Sequence, residues 1–297
     1  MTEGSLSTSA RGAASAVAIG ADSANQAFER RLLAAHQRRQ RQQRVLQIGL
    51  GAGVPLLGFV IWQILTETGA LNSTFFPAPT TIVGDMFDQF TSGPLLASLA
   101  SALGITMRDV AFGFLIGAVT GVVAGVAMGI SRRTYFGLSP LVYGTFPTPK
   151  IALYPLFLVI FGLGSPAAIA LAALSSFYMV CINTLSGIRF SPGLYGEVGS
   201  VFGVPKLSRY LKVVVPAAAP SIITGLRLGL SDCLVIVLAV EYIGSSVGMG
   251  AYIWNAYQIL AVGQMFTGLI LTMIIGGAVI LLGNVVEHVA VPWSRNK

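Results

Sequence analysis

Apolar residues occur along this chain in runs that are too long for the helices of a soluble domain. A helix needs about 20 apolar residues to cross the hydrocarbon layer of a membrane. Six stretches of about that length lie between turn signals, and they contain glycine among leucine, isoleucine, valine and alanine. The pattern predicts an all-α integral membrane protein with six transmembrane helices, over residues 45–65, 100–130, 138–161, 166–188, 217–243 and 266–289.

The basic residues predict which side of the membrane each connection faces, because cytoplasmic loops carry the excess of Lys and Arg. The first, third and fifth connections contain no Lys or Arg. The second holds Arg132 and Arg133, the fourth holds four basic residues, and seven arginines precede the first stretch. We therefore expect both termini in the cytoplasm. Topology then explains the net charge of +7, so we expect the lipid bilayer as a partner and no nucleic acid.

The composition agrees with a membrane protein and disfavours an enzyme. Only 10% of the residues are charged, whereas about a quarter are charged in a soluble domain. No lysine follows a glycine-rich phosphate-binding loop, and His36 and His288 cannot form a zinc-protease motif. We expect no catalytic residue, no metal and no cofactor bound by this chain. Transport against a gradient would then use an ion gradient or energy from a partner protein.

The apolar pattern divides the chain into four parts. Residues 1–44 form a basic cytoplasmic tail, predicted to be partly disordered or to lie as a helix on the membrane surface. Residues 45–94 are predicted to form the first transmembrane helix and an external loop. Residues 95–290 predict a core of five helices, and residues 291–297 a second cytoplasmic tail.

A stripe of glycines marks one face of the second apolar stretch. Glycines recur there every four residues, which places them along one side of a helix and lets another helix approach closely. We favour packing within the chain over a contact between subunits. The stripe comprises Gly113, Gly117, Gly121, Gly125 and Gly129.

The fourth connection is the only cytoplasmic loop long enough to hold structure of its own. Ser191 is a good helix cap, Pro192 suits the first helical position, and Gly203 and Pro205 end the segment. The pattern predicts a short amphipathic helix over about residues 192–204. Such a helix is suited to docking in the groove of a soluble partner or to lying in the lipid interface.

At these residues the chain resembles the membrane (permease) subunits of ATP-binding-cassette importers. The family signature is Glu-Ala-Ala, a few residues, Gly, nine residues, then Ile-x-Leu-Pro. Here Glu197-Val198-Gly199, Gly203 and, after nine residues, Val213-Val214-Val215-Pro216 keep that spacing, with small or apolar replacements. The resemblance covers about residues 95–290 and favours the sulfonate, taurine, nitrate and bicarbonate branch. It is also carried by residues 146–156, 161–164 and 224–227, and by Glu241 before residues 248–250.

The resemblance implies a type I importer permease in a bacterial inner membrane. Such a subunit pairs with a second permease subunit, here expected as a homodimer, and works with two ATPase subunits and an extracytoplasmic solute-binding protein. The ATPase subunits would bind ATP and Mg. The cargo would be a small solute, expected to be an anion such as a sulfonate, nitrate, bicarbonate or organic carboxylate.

The fourth connection would then be the coupling helix, through which closure of the ATPases on ATP moves the membrane helices. Glu197 would contact the ATPase or cap the helix, Gly203 would allow its sharp exit, and Pro216 would end the loop at the membrane. The residues implied in ATPase coupling are Glu197, Val198, Gly199, Gly203, Val204, Pro205 and Pro216.

Charges inside the spans mark candidates for the pathway, because each costs about 2.5 to 3.5 kcal/mol at mid-membrane without a partner or water. We expect Arg108 and Arg227 to attract the anion and Glu241 to shape the outer gate. Arg227 and Glu241 share one helix face about 21 Å apart. Alternatively, Arg227 pairs with Asp232 or a loop carboxylate for structure alone, and Asp232 leaves a zwitterion or cation open as cargo.

Polar and aromatic side chains of the fourth stretch are further candidates for the pathway. Such residues also bond to neighbouring backbone in membrane helices, so a structural role is an alternative for each. The set is Ser175, Phe177, Tyr178 and Asn183.

Two other functions are alternatives to that of an importer subunit. An ion-gradient-driven secondary transporter would need a carboxylate relay or broken helices at mid-membrane, and Asp232 is the only central carboxylate. A membrane-embedded enzyme would need catalytic groups that the spans lack.

Overall fold

The computed structural model describes residues 43, 46–47, 49–190, 210–245 and 247–290. Every regular element within these ranges is helical, so the predicted all-α class is confirmed. Apart from residue 43, the two predicted tails lie outside the described residues, and so does the predicted coupling helix.

The chain divides into two compact units between residues 79 and 80. In the first unit, helix α1, Gly49–Glu67, is long and apolar enough to cross a membrane. Its apolar side chains are mostly exposed, which suits a helix surrounded by lipid. At the end of α1 the Thr66 hydroxyl lies 3.3 Å from the Phe76 carbonyl oxygen, so the following loop folds back on the helix.

Among the remaining helices, from Pro79 onward, α6 is the most enclosed of the candidate spans. Helix α6 contacts α3 on one side and α7 on the other. The helices are α2 Pro79–Thr91, α3 Gly93–Ile130, α4 Arg132–Thr145, α5 Tyr154–Phe161, α6 Ser165–Phe190, α7 Val215–Gly244, α8 Met249–Gln258 and α9 Val262–Ala290, with a 3-10 helix at Lys150–Leu153.

The glycine stripe of α3 faces α6 of the same chain. A Cβ placed on Gly113 would lie 2.8 Å from the Ala172 Cβ, and one placed on Gly129 would lie 2.5 Å from the Ile188 Cγ2. Only glycine permits so close an approach of two helices. Because residue numbers rise in the same order along both contact faces, α3 and α6 run parallel.

Helix α7 runs antiparallel to α6. Gly225 of α7 lies against Asn183, and Gly229 lies against Val180, one turn earlier in α6. At the carboxyl-terminal end of α6, the Arg189 guanidinium carbon lies 3.3 Å from the centre of the Tyr135 ring at the start of α4. Arg132 and Arg133 of the second connection therefore lie at the same end of the bundle as Arg189.

The third predicted span is not one straight helix, and the prediction of a continuous span over residues 138–161 is wrong. Helix α4 and the run Lys150–Phe161 meet at 93°. Pro147 and Pro149 lie in the break, where each removes a backbone donor and excludes the preceding helical turn. Within the described residues, five helical runs can cross a membrane by length and composition, or six when this bent pair counts as one span.

Some helical residues lie outside the predicted stretches. Helix α3 begins at Gly93 rather than at the predicted Ala100, because Pro94 is favoured in the first helical turn. The connection predicted over residues 244–265 contains helix α8, which packs on α7 and α9.

Candidate translocation-pathway site

A lysine and an aspartate meet near the middle of the helices. Lys150 lies directly after the bend, and its Nζ is 3.9 Å from Oδ2 of Asp232 on α7. The Ser175 hydroxyl on α6 donates a hydrogen bond to the same aspartate oxygen. Only 15% of the Lys150 side chain and 27% of the Asp232 side chain are exposed. These three residues, with Phe146 and Tyr178, are called the bend cluster below.

The two aromatic rings of the bend cluster flank the Lys150 ammonium. Its Nζ lies 5.0 Å from the centre of the Phe146 ring and 5.9 Å from the centre of the Tyr178 ring, within the range of cation–π attraction. The rings meet edge to face. The Tyr178 hydroxyl is 2.8 Å from the Thr145 hydroxyl, so the cluster joins α4, α6 and α7 around one cation.

The broken backbone explains how Lys150 reaches the interface of α6 and α7. A single 3-10 turn, closed by the Ala152 N–H bonded to the Pro149 carbonyl, follows the end of α4. Irregular backbone at membrane depth is tolerated only where protein buries it or where it lines a water-filled cavity. Ionisable residues at that depth mark solute paths by default. The bend cluster therefore has the features of a solute pathway.

A second carboxylate of α7 is enclosed by neutral groups. Glu241 is only 1% exposed, and both of its carboxylate oxygens lie 2.8 Å from the Thr106 hydroxyl of α3. The Gly250 N–H donates to Oε2 over 3.0 Å, and the Met249 N–H donates to the Thr106 hydroxyl over 2.8 Å. These residues, with Gly248, are called the Glu241 cage below.

The Glu241 cage caps the amino-terminal end of α8. The first turn of a helix has N–H groups without intrahelical partners and carries a partial positive charge. Gly248 precedes that turn with φ 101° and ψ 173°, a conformation that is essentially restricted to glycine. A side chain at Gly248 would collide with the Glu241 carboxyl group. The cage therefore joins α3, α7 and α8, and the part of Glu241 in an outer gate stays a prediction.

Arg227 of α7 contacts the last helix. Its Nη1 lies 2.6 Å from the Asn284 Oδ1 and 3.0 Å from the Glu287 Oε2, both on α9. Asp232, one of the partners considered from the sequence, lies in the bend cluster instead. Arg227 thus links α7 to α9, and its attraction for an anion stays a prediction.

Arg108 of α3 is half-exposed and pairs with its neighbour in sequence. Its Nη2 lies 2.9 Å from the Asp109 Oδ1 and 2.5 Å from the Ser165 hydroxyl, at the start of α6. The contact with Ser165 places Arg108 near the end of the bundle opposite Arg189. Its guanidinium is open to solvent on one side, as a residue that meets an anion would need to be.

The residues predicted in the fourth stretch lie in three different environments. Ser175 and Tyr178 lie in the bend cluster. The Asn183 side-chain amide donates to the Met179 carbonyl of its own helix over 2.8 Å. Phe177 lines an open apolar groove of about 780 Å³ between α3, α5 and α6. The structure thus brings together Ser175, Tyr178 and Asp232 of the predicted pathway set.

The sequence profile of one transport family matches most of the second unit. The family is described as the inner membrane component of binding-protein-dependent transport systems, and the match covers residues 113–295. The chain belongs to this family. Its several apolar helices make this inner membrane component a multi-pass membrane protein. The matched segment includes the whole bend cluster and all of the Glu241 cage except Thr106.

Two relatives resemble this inner membrane component over most of its length. The provisionally named aliphatic sulfonates transport permease protein SsuC of Bacillus subtilis is 32% identical over 246 residues, or 83% of this chain and 88% of that protein. The bicarbonate transport system permease protein CmpB of Synechococcus elongatus is 34% identical over 236 residues, or 76% of this chain and 82% of that protein.

A chain from a solved structure shares the fold. It belongs to the MetNI methionine ABC transporter in an inward-facing conformation, and it superposes with a TM-score of 0.59 at 20% identity. The likeness covers 67% of this chain and 99% of that chain. It concerns the fold alone, and it confirms the predicted importer-permease fold class.

Most of the predicted coupling residues, from Glu197 to Pro205, lie outside the described residues. Pro216 is exposed in the first turn of α7. Within the described ranges, no group of three or more His, Cys, Asp or Glu side chains could hold a metal ion.

Two residues of these sites were not assigned from the sequence. Lys150 was not among the predicted pathway residues, although it is the only lysine inside a predicted span. Thr106 gave no signal, since a threonine in an apolar stretch is common and its partner Glu241 is distant in sequence.

Proposed function

We propose that this inner membrane component forms the translocation pathway of an ATP-driven importer for a small oxyanion. The family match over residues 113–295 carries the proposal. Two relatives are named for the transport of aliphatic sulfonates and of bicarbonate, and both are small anions with oxygen at their charged end. Nitrate and organic carboxylates share that chemistry.

The pathway passes the bend cluster. Support comes from the depth of the cluster, since Ser175 and Asp232 both lie near the middle of their helices. Support also comes from its chemistry, since a cation, a carboxylate and a hydroxyl meet at a break in the backbone. The fixed site lies between α4, α6 and α7, and motion of these helices would open it to one side or the other.

The energy comes from partner subunits. Two ATPase subunits bind ATP and Mg and dock on the predicted coupling helix, residues 192–204. A second copy of this chain completes the membrane part, and a solute-binding protein delivers the cargo from outside the cell membrane. This arrangement is supported by family membership and by the signature spacing around Glu197 and Gly203.

The amino and carboxyl termini lie in the cytoplasm. Arg132, Arg133 and Arg189 lie at one end of the bundle, and the connections at the other end lack Lys and Arg. Because the excess of positive charge marks the cytoplasmic side, the Arg189 end faces the ATPases and the Arg108 end faces outward.

Co-purification and transport test the proposal. The chain is expressed with its ATPase and binding-protein partners, purified and reconstituted in liposomes. We expect uptake of labelled nitrate or an alkanesulfonate only when ATP is present on the side of the membrane that carries the ATPase subunits and the binding protein is present on the opposite side. Glu197→Lys is expected to abolish co-purification of the ATPase without lowering the amount of membrane-inserted chain.

Uptake by the chain alone in ATP-free vesicles, driven by a proton or sodium gradient, would contradict the importer proposal and favour a secondary transporter. A complex that hydrolyses ATP with the binding protein present but moves none of the tested anions would contradict the proposed cargo class.

A further inference from the structure

Lys150 has the loosest ion pair of the described residues. The other two ion pairs, Arg108 with Asp109 and Arg227 with Glu287, have N–O distances of 2.9 and 3.0 Å. The Lys150 pair has a distance of 3.9 Å, which exceeds the 2.7 to 2.9 Å that is usual for a charge-assisted hydrogen bond. The ammonium of Lys150 is therefore attracted to Asp232 without being bonded to it.

The surroundings of Lys150 hold the cation in place without satisfying its three donors. The face of an aromatic ring attracts an ammonium electrostatically, but it has no lone pair that could accept a conventional hydrogen bond. The Asp232 oxygen that faces Lys150 already accepts from Ser175. The ammonium is mostly enclosed, lies beside a break in the backbone and has N–H donors without a hydrogen-bond acceptor. It is therefore suited to donate a hydrogen bond to an oxygen of a passing solute.

We propose that Lys150 binds the oxyanion as it crosses the membrane, and that Asp232 is the counter-charge that holds Lys150 when the pathway is empty. The proposal rests on the proposed function and names the residue that contacts its cargo. An arriving oxyanion takes the place of Asp232 as the nearest negative charge, and Asp232 remains on Ser175. No bond is made or broken in this exchange.

The counter-charge explains why the site releases its cargo. A site along a transport pathway must bind the solute strongly enough for the solute to enter and weakly enough for it to leave. A lone ammonium in an enclosed site would hold an anion tightly, because the low local dielectric strengthens the attraction. Asp232 competes with the anion for the same ammonium, so the bound state remains short-lived. Cations and zwitterions without an exposed acidic group gain nothing at Lys150.

The test uses the complete complex with its ATPase and binding-protein partners in liposomes. Uptake of labelled nitrate and ethanesulfonate is measured together with ATP hydrolysis, at saturating loaded binding protein. For Lys150→Gln we expect uptake per ATP hydrolysed to fall about tenfold or more, because a hydrogen bond to a charged group is lost. Hydrolysis stimulated by the binding protein should stay within about twofold of wild type. Lys150→Arg should retain most of the uptake.

Two further variants separate cargo binding from a structural ion pair. Arg133→Gln, which removes an exposed basic residue in the first turn of α4, is the matched control and should transport normally. The double variant Lys150→Gln with Asp232→Asn removes both charges and so avoids leaving one of them unpaired. If Lys150 binds cargo, the double variant should transport as poorly as Lys150→Gln.

Normal uptake per ATP in the double variant would overturn the inference, because the pair would then serve structure alone. Normal uptake in Lys150→Gln would overturn it as well. A wild-type complex that shows no ATP-dependent anion uptake would instead overturn the proposed function, so the two failures are distinguishable.

Discussion

Helix α7 carries two carboxylates whose surroundings are opposite in kind. Asp232 and Glu241 are nine positions apart, which places them on opposite sides of the helix and about 13 to 14 Å apart along its axis. The Glu241 carboxylate is bonded to the Thr106 hydroxyl and to the Gly250 N–H, and the Met249 N–H donates to the same hydroxyl. Asp232 faces a cation across a gap and is partly exposed.

The contrast shows that a charge at membrane depth can have two uses. In the Glu241 cage the hydrogen-bond partners are a hydroxyl and a backbone N–H group, and the buried carboxylate joins three helices. In the bend cluster the partner is a long, flexible lysine on a separate, broken element, so the pair can open. Under the proposed function, the number of rigid contacts around a charge, more than the presence of the charge, distinguishes a structural contact from a residue of the pathway.

The largest expected effect is the loss of the Glu241 cage in Gly248→Ala. The glycine-only backbone conformation and the collision with the Glu241 carboxyl group together cost at least about 3 kcal/mol. We expect a strong fall in the thermal unfolding midpoint of the purified protein and in its membrane abundance. Gly84→Ala, at a helical glycine with open space around it, is the matched control and should be neutral. Equal midpoints for the two variants would contradict the cage.

A smaller effect is expected for Thr106→Val, which keeps the shape and removes the hydroxyl. The Met249 N–H loses its acceptor and Glu241 loses a donor, and together these losses cost about 2 to 4 kcal/mol. Thermal unfolding in detergent measures the difference. Thr120→Val, whose hydroxyl is exposed and bonds only to carbonyls of its own helix, should change stability by less than about 0.5 kcal/mol.

Asp232→Asn should change stability by less than about 1 kcal/mol, in contrast to the cage variants. The asparagine oxygen still accepts from Ser175, the Lys150 pair is long, and the Phe146 and Tyr178 rings still face the ammonium after its counter-charge is removed. The unfolding midpoint should be close to that of wild type, while transport slows because the anion loses its competitor. A fall as large as that of Thr106→Val would mean that the bend cluster is also a fixed joint.

Of the two bend-cluster variants, Tyr178→Phe is expected to have the smaller effect on transport. The ring that faces Lys150 remains, and only the hydrogen bond to the Thr145 hydroxyl is lost, so stability should fall by about 0.5 to 1.5 kcal/mol. Tyr143→Phe, on the exposed side of α4, is the control for a lost phenol. Uptake by Tyr178→Phe should stay within about twofold of wild type, and a tenfold loss would assign the hydroxyl itself to the cargo.

Much of the fold follows from the sequence because membrane helices need long apolar stretches. The stretches for α6 and α7 agree with the structure to within a few residues. The glycine period in α3 predicted a close helix contact, and the partner turned out to be α6. What the apolar count did not predict is the bend after α4, because hydropathy does not register the effect of Pro147 and Pro149 on the backbone.

The candidate site was harder to predict, because its contacts join residues that are far apart in sequence. Asp232, Ser175 and Tyr178 were chosen as polar residues in apolar stretches, which is a local signal. Lys150 contacts Asp232 and Tyr178, but its position depends on the bend and therefore could not be derived from a straight third span. Glu241 and Thr106 are 135 positions apart in sequence, so their contact has no local signal at all.

The parallel contact between α3 and α6 has a consequence for how the protein is made. The glycine stripe of α3 enters the bilayer before α6 has been synthesised. At a synthesis rate of roughly 5 to 20 residues per second, α6 follows several seconds later. During that interval acyl chains of the lipid must cover the stripe and must leave when α6 arrives. Insertion of this protein should therefore depend on the fluidity of the surrounding lipid at one particular step of its synthesis.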